Sequence, residues 1–133
     1  MTFKEIFDNY KTIAVYGMST NEAKPSHHVP AFLLSQGYNI FPVNPVADEI
    51  AGQKVYKTLN DIPDAIEILN VFRPSAQALE VVQEAVERKK MKGDIKLIWL
   101  QEGIINDEAK KLAEENGMEF IQDKCMYKEY QNL

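Results

Sequence analysis

The sequence predicts an α/β domain, an open parallel sheet of about five strands with helices on both faces. Three observations carry that expectation. Short runs rich in Ile, Val, Leu and aromatic residues alternate with segments of helical period along the whole chain. Four of the runs are apolar almost throughout, as strands buried on both faces must be. The helical segments between them carry recognisable caps and terminators. Strand–helix–strand order of this kind closes through right-handed crossovers, which makes the strands parallel.

The elements follow in order. An amphipathic helix over Phe3–Asn9 precedes the first strand, Thr12–Tyr16. Ser26 reads as the cap of a helix reaching Gln36, with Val29, Phe32 and Leu33 on one face and Gly37 as terminator. Pro30 falls in its first turn, where no backbone donor is lost. The second strand is Asn39–Val43. Residues 44–65 read as an irregular connection in which Asp61-Ile-Pro-Asp64 forms one turn. A third strand, Glu67–Val71, leads into a helix from Ser75 to Lys90 whose apolar stripe is Ala78, Val82, Ala85 and Val86. The cations of Arg88-Lys-Lys-Met-Lys-Gly93 stand where the helix dipole favours them. Ile95–Leu100 is the fourth strand. Asn106 then caps a helix that turns Ala109, Leu112 and Ala113 inward and stops before Gly117. Met118–Ile121 has a polar interruption and suits a sheet edge, and Met126–Gln131 forms a short closing helix.

Bulk properties restrict the function. A chain of 133 residues fits one domain, 1–133, able to bury about two-thirds of its unfolded surface. Hydrophobic residues make up 45% and charged residues 26%, which suits a soluble globular chain. A net charge of −5 argues against nucleic acid or an anionic membrane as partner, because both need a basic footprint. The single cysteine, Cys125, excludes an intrachain disulfide framework and a cysteine-rich zinc site. The N-terminus is amphipathic and mixed in charge, unlike a secretory signal, and no apolar run approaches the ~20 residues of a membrane span. A cytoplasmic protein is expected.

In an open parallel sheet, ligands bind outside the carboxyl ends of the strands, where the strand order reverses. Four segments are thereby nominated, and each is unusual in composition. Gly17 directly after the first strand permits a sharp turn and close backbone approach. Ser19 and Ser26 follow with hydroxyls and Lys24 with a cation, at the start of a helix whose free N–H groups favour an anion. Asn44-Pro45 ends the second strand where a dinucleotide site would offer a carboxylate to the ribose. Phe72 and Arg73 follow the third strand; the arginine can pair bidentately with a phosphate, and the phenylalanine can line an apolar pocket. Gln101, Glu102 and Gly103 end the fourth, with a two-way hydrogen-bonding amide, a carboxylate and a flexible turn.

Several ligand classes fit poorly. The first loop lacks both the Gly-Lys-Ser/Thr ending of a Walker A loop and the later glycines of a dinucleotide fingerprint. A phosphoacceptor receiver would need acids where Tyr16-Gly17 and Val71-Phe72 stand. A flavodoxin-type loop would be richer in hydroxyls than Ser19-Thr20. His27 and His28 read as solvent-facing residues of a first helical turn rather than metal ligands. Cys125 reads as a packed thiol. Glu102 has no acid, His or nucleophile at a spacing that would make it a catalytic base.

As an ordered set, IAVYGMS, the Lys-Pro-Ser at 24–26, GYNIFPVNP, EIAGQKVY with its following LNDIP, NVFRPS, IWLQEGI and DKCMYKEY resemble the small stand-alone CoA-binding proteins. That domain is similar to the N-terminal CoA-binding domain of the succinyl-CoA synthetase alpha subunit. The matching segments run from Ile13 to Tyr130. The resemblance implies a Rossmann-like domain that binds coenzyme A or an acyl-CoA, with Gly17, Met18 and Ser19 facing the nucleotide or pyrophosphate. Lys24 and Ser26 extend that loop, Phe72 and Arg73 flank it, and Gln101, Glu102 and Gly103 match the synthetase's Glu-Gly-Ile turn. Asn44 and Pro45 stand where the synthetase has a CoA-contacting lysine, which leaves Lys24 and Arg73 to meet the phosphates. Met18 replaces a small residue and narrows the loop. No catalysis is expected from this domain by itself. The alternative reading is a nucleotide-dependent enzyme, NAD(P)-linked or a detached ligase subunit. A homo-oligomer or a protein partner stays open, as does the acyl group.

Overall fold

The apolar runs do form one sheet. The computed structural model describes all residues, Met1–Leu133. Its strands are β1 (Thr12–Tyr16), β2 (Asn39–Val43), a small hairpin of β3 (Glu49–Ile50) and β4 (Gln53–Lys54), β5 (Ile68–Val71), β6 (Leu97–Leu100) and β7 (Glu119–Ile121). The main sheet has five strands in the order β2-β1-β5-β6-β7, every neighbouring pair parallel. The fold is the Rossmann-like α/β architecture that the sequence predicts. Strand order reverses between β1 and β5, because the chain runs outward to β2 and then crosses back. Register brings Tyr16 level with Val43 and Val71, and Val71 level with Leu100. Four strand ends therefore share one rim.

Side chains alternate across the sheet, and each face is covered by its own helices. Ile13, Val15, Ile68, Leu97 and Trp99 pack under α1 (Phe3–Asn9), α2 (Pro25–Ser35) and α5 (Met126–Gln131). Ala14, Leu69, Val71, Ile98 and Leu100 pack under α3 (Ser75–Lys92) and α4 (Asp107–Glu115). Trp99 is fully buried, tilted against Phe3 and Phe7, and its indole N–H donates to the Lys124 carbonyl at 2.8 Å. Burying a ring of this kind stabilises the fold by about 1.5–3 kcal/mol. Asn106 caps α4 by accepting from the Ala109 N–H at 2.9 Å, as its position in the sequence implies.

Three local expectations are corrected. α2 begins at Pro25 with Lys24 in the capping position, so Ser26 is not the cap. The Lys-Pro step prevails because proline at the first helical position is preorganised and has no N–H to satisfy. Pro30 consequently lies inside the helix rather than in its first turn. It has no N–H to give the Ser26 carbonyl, and that carbonyl instead accepts from the Ser19 N–H at 3.2 Å. β5 and β6 also start late: Ile95 takes a left-handed φ of 58° and its N–H turns to the Ile66 carbonyl at 2.7 Å.

The 44–65 connection is more ordered than its composition suggests. β3 and β4 pair antiparallel across Ala51-Gly52, both with positive φ, as a tight hairpin turn demands. Tyr56 then bridges to the edge strand at Val43. The single turn falls at Leu59–Asp61, one step earlier than expected, because Thr58 and Asp61 cap each other reciprocally. Arg88 holds this turn. Far from serving the helix dipole in solvent, it is wholly buried and donates to the carbonyls of Leu59 (2.6 Å), Ile62 (3.0 Å) and Asp64 (2.9 Å) and to the Asp94 carboxylate (2.9 Å). Its planar fork of donors gathers the carbonyls of this turn onto one buried group.

Candidate ligand-binding crevice at the strand ends

Gly17 sets the geometry of the rim. Its φ is +89°, and a Cβ there would sit 3.1 Å from both the Phe72 carbonyl oxygen and the Arg73 Cδ. The first loop and the loop after β5 therefore touch backbone to backbone, which only glycine allows. The Gly17 N–H donates to the Val43 carbonyl at 3.0 Å, tying in the end of β2 as well.

Beyond Gly17 the loop is pinned at almost every residue. Met18 turns its side chain fully into the core beneath α2, so it offers its surroundings backbone only. Its carbonyl accepts from the Asn44 amide at 2.9 Å, while the Asn44 oxygen accepts from the Val46 and Ala47 N–H groups at 2.8 and 3.0 Å. Ser19 gives its N–H to Ser26, and its carbonyl lies 2.8 Å from His27 Nδ1. His27 is buried in this contact, against the solvent-facing reading. First-turn side chains lean back toward the helix start, and here that places the ring over the loop. Lys24 is exposed at the helix start and Ser26 is half-buried.

A cleft of about 230 Å³ opens beside Gly17, between the ends of β1 and β2 and the first turns of α3. Of the sequence-nominated residues, Gly17, Pro45 and Arg73 line it. Arg73 is exposed and donates to the Gln77 side chain. Phe72 is half-buried and packs toward the α2 face. The β6 turn stands outside the cleft. Gln101 is buried and accepts from the Met126 N–H at 3.4 Å, and Glu102 pairs with Lys128 at 3.0 Å. Gly103, at φ +87°, donates to Asp123 at 2.7 Å, and no atom lies within 4 Å of where its Cβ would be. Cys125 is buried at the start of α5, a packed thiol.

The cleft also contains residues that sequence reasoning missed. Gln77, Glu80 and Glu84 of α3 form one wall. Their spacing of three and four residues beside the apolar stripe would have put them on one face. Lys57 has no such signal, because the hairpin alone brings it to the rim. Tyr16, at the floor, has its phenol pushed up to about 12 by burial and then by the Glu84 carboxylate beside it, with Arg73 opposing. The phenol stays protonated at any physiological pH and serves as a donor. No group of three or more His, Cys, Asp or Glu side chains is placed to hold a metal.

An open parallel sheet whose switch-point rim is built from a close-packed glycine loop, two cations and an acidic helix face defines a Rossmann-like binding domain. Over residues 11–131 the chain matches the family described as a CoA binding domain, and it belongs to that family. It is 39% identical over 123 residues to the uncharacterized protein YneT of Bacillus subtilis, covering 92% of this chain and 87% of that one. A segment of 80 residues is 34% identical to an ADP-forming acetate–CoA ligase II of Archaeoglobus fulgidus, of whose length it spans 12%. Among solved structures, a hypothetical protein from Pyrococcus horikoshii OT3 superimposes with a TM-score of 0.91 at 34% identity, over 98% of this chain and 89% of that one. No helix is long and apolar enough to cross a membrane.

Proposed function

We propose that the crevice binds coenzyme A or an acyl-CoA, and that this domain by itself performs no chemistry on it. The observation that carries the reading is membership of the CoA-binding family across residues 11–131, since cleft chemistry alone would admit several phosphorylated nucleotides. The residues present suit that ligand. Gly17 lets the loops after β1 and β5 close together at the cleft, and Arg73 and Lys57 set two cations opposite Glu80 and Glu84 there. The Ser19 hydroxyl, whose oxygen accepts from the Asn21 N–H at 3.0 Å, keeps its own proton to donate. In this reading the adenosine end takes the cleft beside Gly17, Pro45 and Arg73. Met18, Ser19, Lys24, Ser26 and Asn44 shape the phosphate loop, and the pantetheine arm runs past Phe72 toward Gln101, Glu102 and Gly103. When bound, the cofactor supplies a thiol or thioester; the chain's own residues bind and orient it.

Thermal denaturation with CoA, acetyl-CoA, NAD and FMN tests the proposal. A ligand at 100 times its Kd adds about 2.7 kcal/mol, a rise of several degrees in Tm. A clear rise with NAD and none with either CoA species overturns it.

A further inference from the structure

In an open α/β sheet with a nucleotide at its switch point, the end of the second strand reads the adenosine ribose. An acid there accepts from free hydroxyls, whereas a cation nearby accommodates a ribose phosphate. Here that strand ends in Asn44, which is uncharged and has both ends of its amide committed, to Met18 on one side and to Val46 and Ala47 on the other. No carboxylate lines the cleft on that side, and Asp48 lies beyond the lining. What the structure puts there is Lys57, delivered by the hairpin to the cleft next to Pro45.

The Lys57 ammonium donates to the carbonyls of Val46 at 2.9 Å and Ala47 at 2.6 Å, which fix its position. Its third partner is different in kind. Asp48 Oδ1 lies 3.1 Å away, on a side chain that is 99% exposed, while the lysine side chain is 45% exposed. An ion pair this wet is held by little free energy, so another anion can replace the carboxylate. Two backbone carbonyls thus aim a cation whose remaining donor faces an exchangeable acid.

We propose that Lys57 reads a phosphate carried on the ligand's ribose, and that Asp48 occupies the phosphate position in the free protein. The inference rests on the CoA reading above and sharpens it: the crevice distinguishes CoA from its 3′-dephospho form. The same chemistry would also accept the 2′-phosphate of NADP, so both sources enter the test.

Calorimetric titration of wild type, Lys57→Met and Asp48→Asn with CoA, 3′-dephospho-CoA, NADPH and NADH decides it. Wild type is expected to prefer CoA over dephospho-CoA by about tenfold or more, the worth of a charge-assisted contact. Lys57→Met brings that ratio close to one. Asp48→Asn, which removes the competitor, tightens CoA about two- to fivefold and leaves dephospho-CoA unchanged; this arm holds even if Lys57→Met does not fold. Equal binding of CoA and dephospho-CoA by wild type overturns the proposal, as does an unchanged ratio in a folded Lys57→Met. A Lys57-dependent preference for NADPH over NADH, with neither CoA species bound, keeps the phosphate reader and overturns the CoA reading. Binding of none of the four overturns both.

Discussion

Replacing Gly17 with alanine separates two costs that the structure lets us price. The first is conformational: an L-residue at φ +89° loses about 1–2 kcal/mol. The second is steric, because the new Cβ would stand 3.1 Å from the Phe72 carbonyl oxygen. Arg73 Cδ, at the same distance, can swing away, but the Phe72 backbone is held by its N–H bond to the Tyr16 carbonyl at 2.9 Å. Forcing those loops apart adds about 1–3 kcal/mol, as overpacking does elsewhere. Gly93→Ala supplies the control, since Gly93 closes α3 at φ +71° with nothing within 4 Å of its Cβ. Urea denaturation of the two variants should therefore differ by the steric cost alone. Calorimetry should show CoA binding weakened at least about tenfold in Gly17→Ala and unchanged in Gly93→Ala. Equal stability losses and equal affinities would refute the argument that the two loops meet at Gly17 to form the site.

Three further expectations follow from single residues. Arg73→Ala should weaken CoA binding by about 1.5–3 kcal/mol in calorimetry, and an unchanged affinity removes the guanidinium from the site. Arg88→Met should destabilise the fold by about 3–5 kcal/mol in urea titration, because it leaves the buried Asp94 carboxylate without its cation and takes a donor from three carbonyls; a loss below about 1 kcal/mol would contradict the buried hub. Tyr16 titrates near its usual 10.0 when unfolded and at about 12 when folded, so its contribution to stability is complete below pH 10 and fades as pH rises toward 12. Tyr16→Phe should flatten that alkaline decline in denaturant midpoints, and an unaltered slope would count against the buried phenol.

What is local is legible in the chain, and what is assembled is not. The five apolar runs, the Asn106 cap and Gly17 at the end of β1 depend on near neighbours, so pattern and propensity find them. Arg88 shows where that method fails. Next to Lys89 and Lys90 it reads as one more solvent cation, and only the distant turn at Leu59–Asp61 and Asp94 make it a buried one. His27 is the same case on a smaller scale, since its partner is the loop before its own helix. Pro30 misleads through a shift of helix start from Ser26 to Pro25, which moves it from a harmless position to one that frees a carbonyl for Ser19. Of the site, the rim residues Gly17, Pro45 and Arg73 could be named from strand endings. Lys57 could not, because a hairpin carries it there.

Arg88 has a kinetic consequence. One wall of the cleft, Gln77 with Glu80 and Glu84, belongs to the start of α3; the other, Pro45 with Lys57, belongs to the segment that runs into the turn at Leu59–Asp61. Arg88 rivets that turn to α3, and Lys92 adds a second fastening at the Ile62 carbonyl, 3.1 Å away. The gape of the cleft is thereby fixed before any ligand arrives. Encounter then needs no closing step, so association should be a single phase, and ligands should differ in residence time rather than in rate of capture.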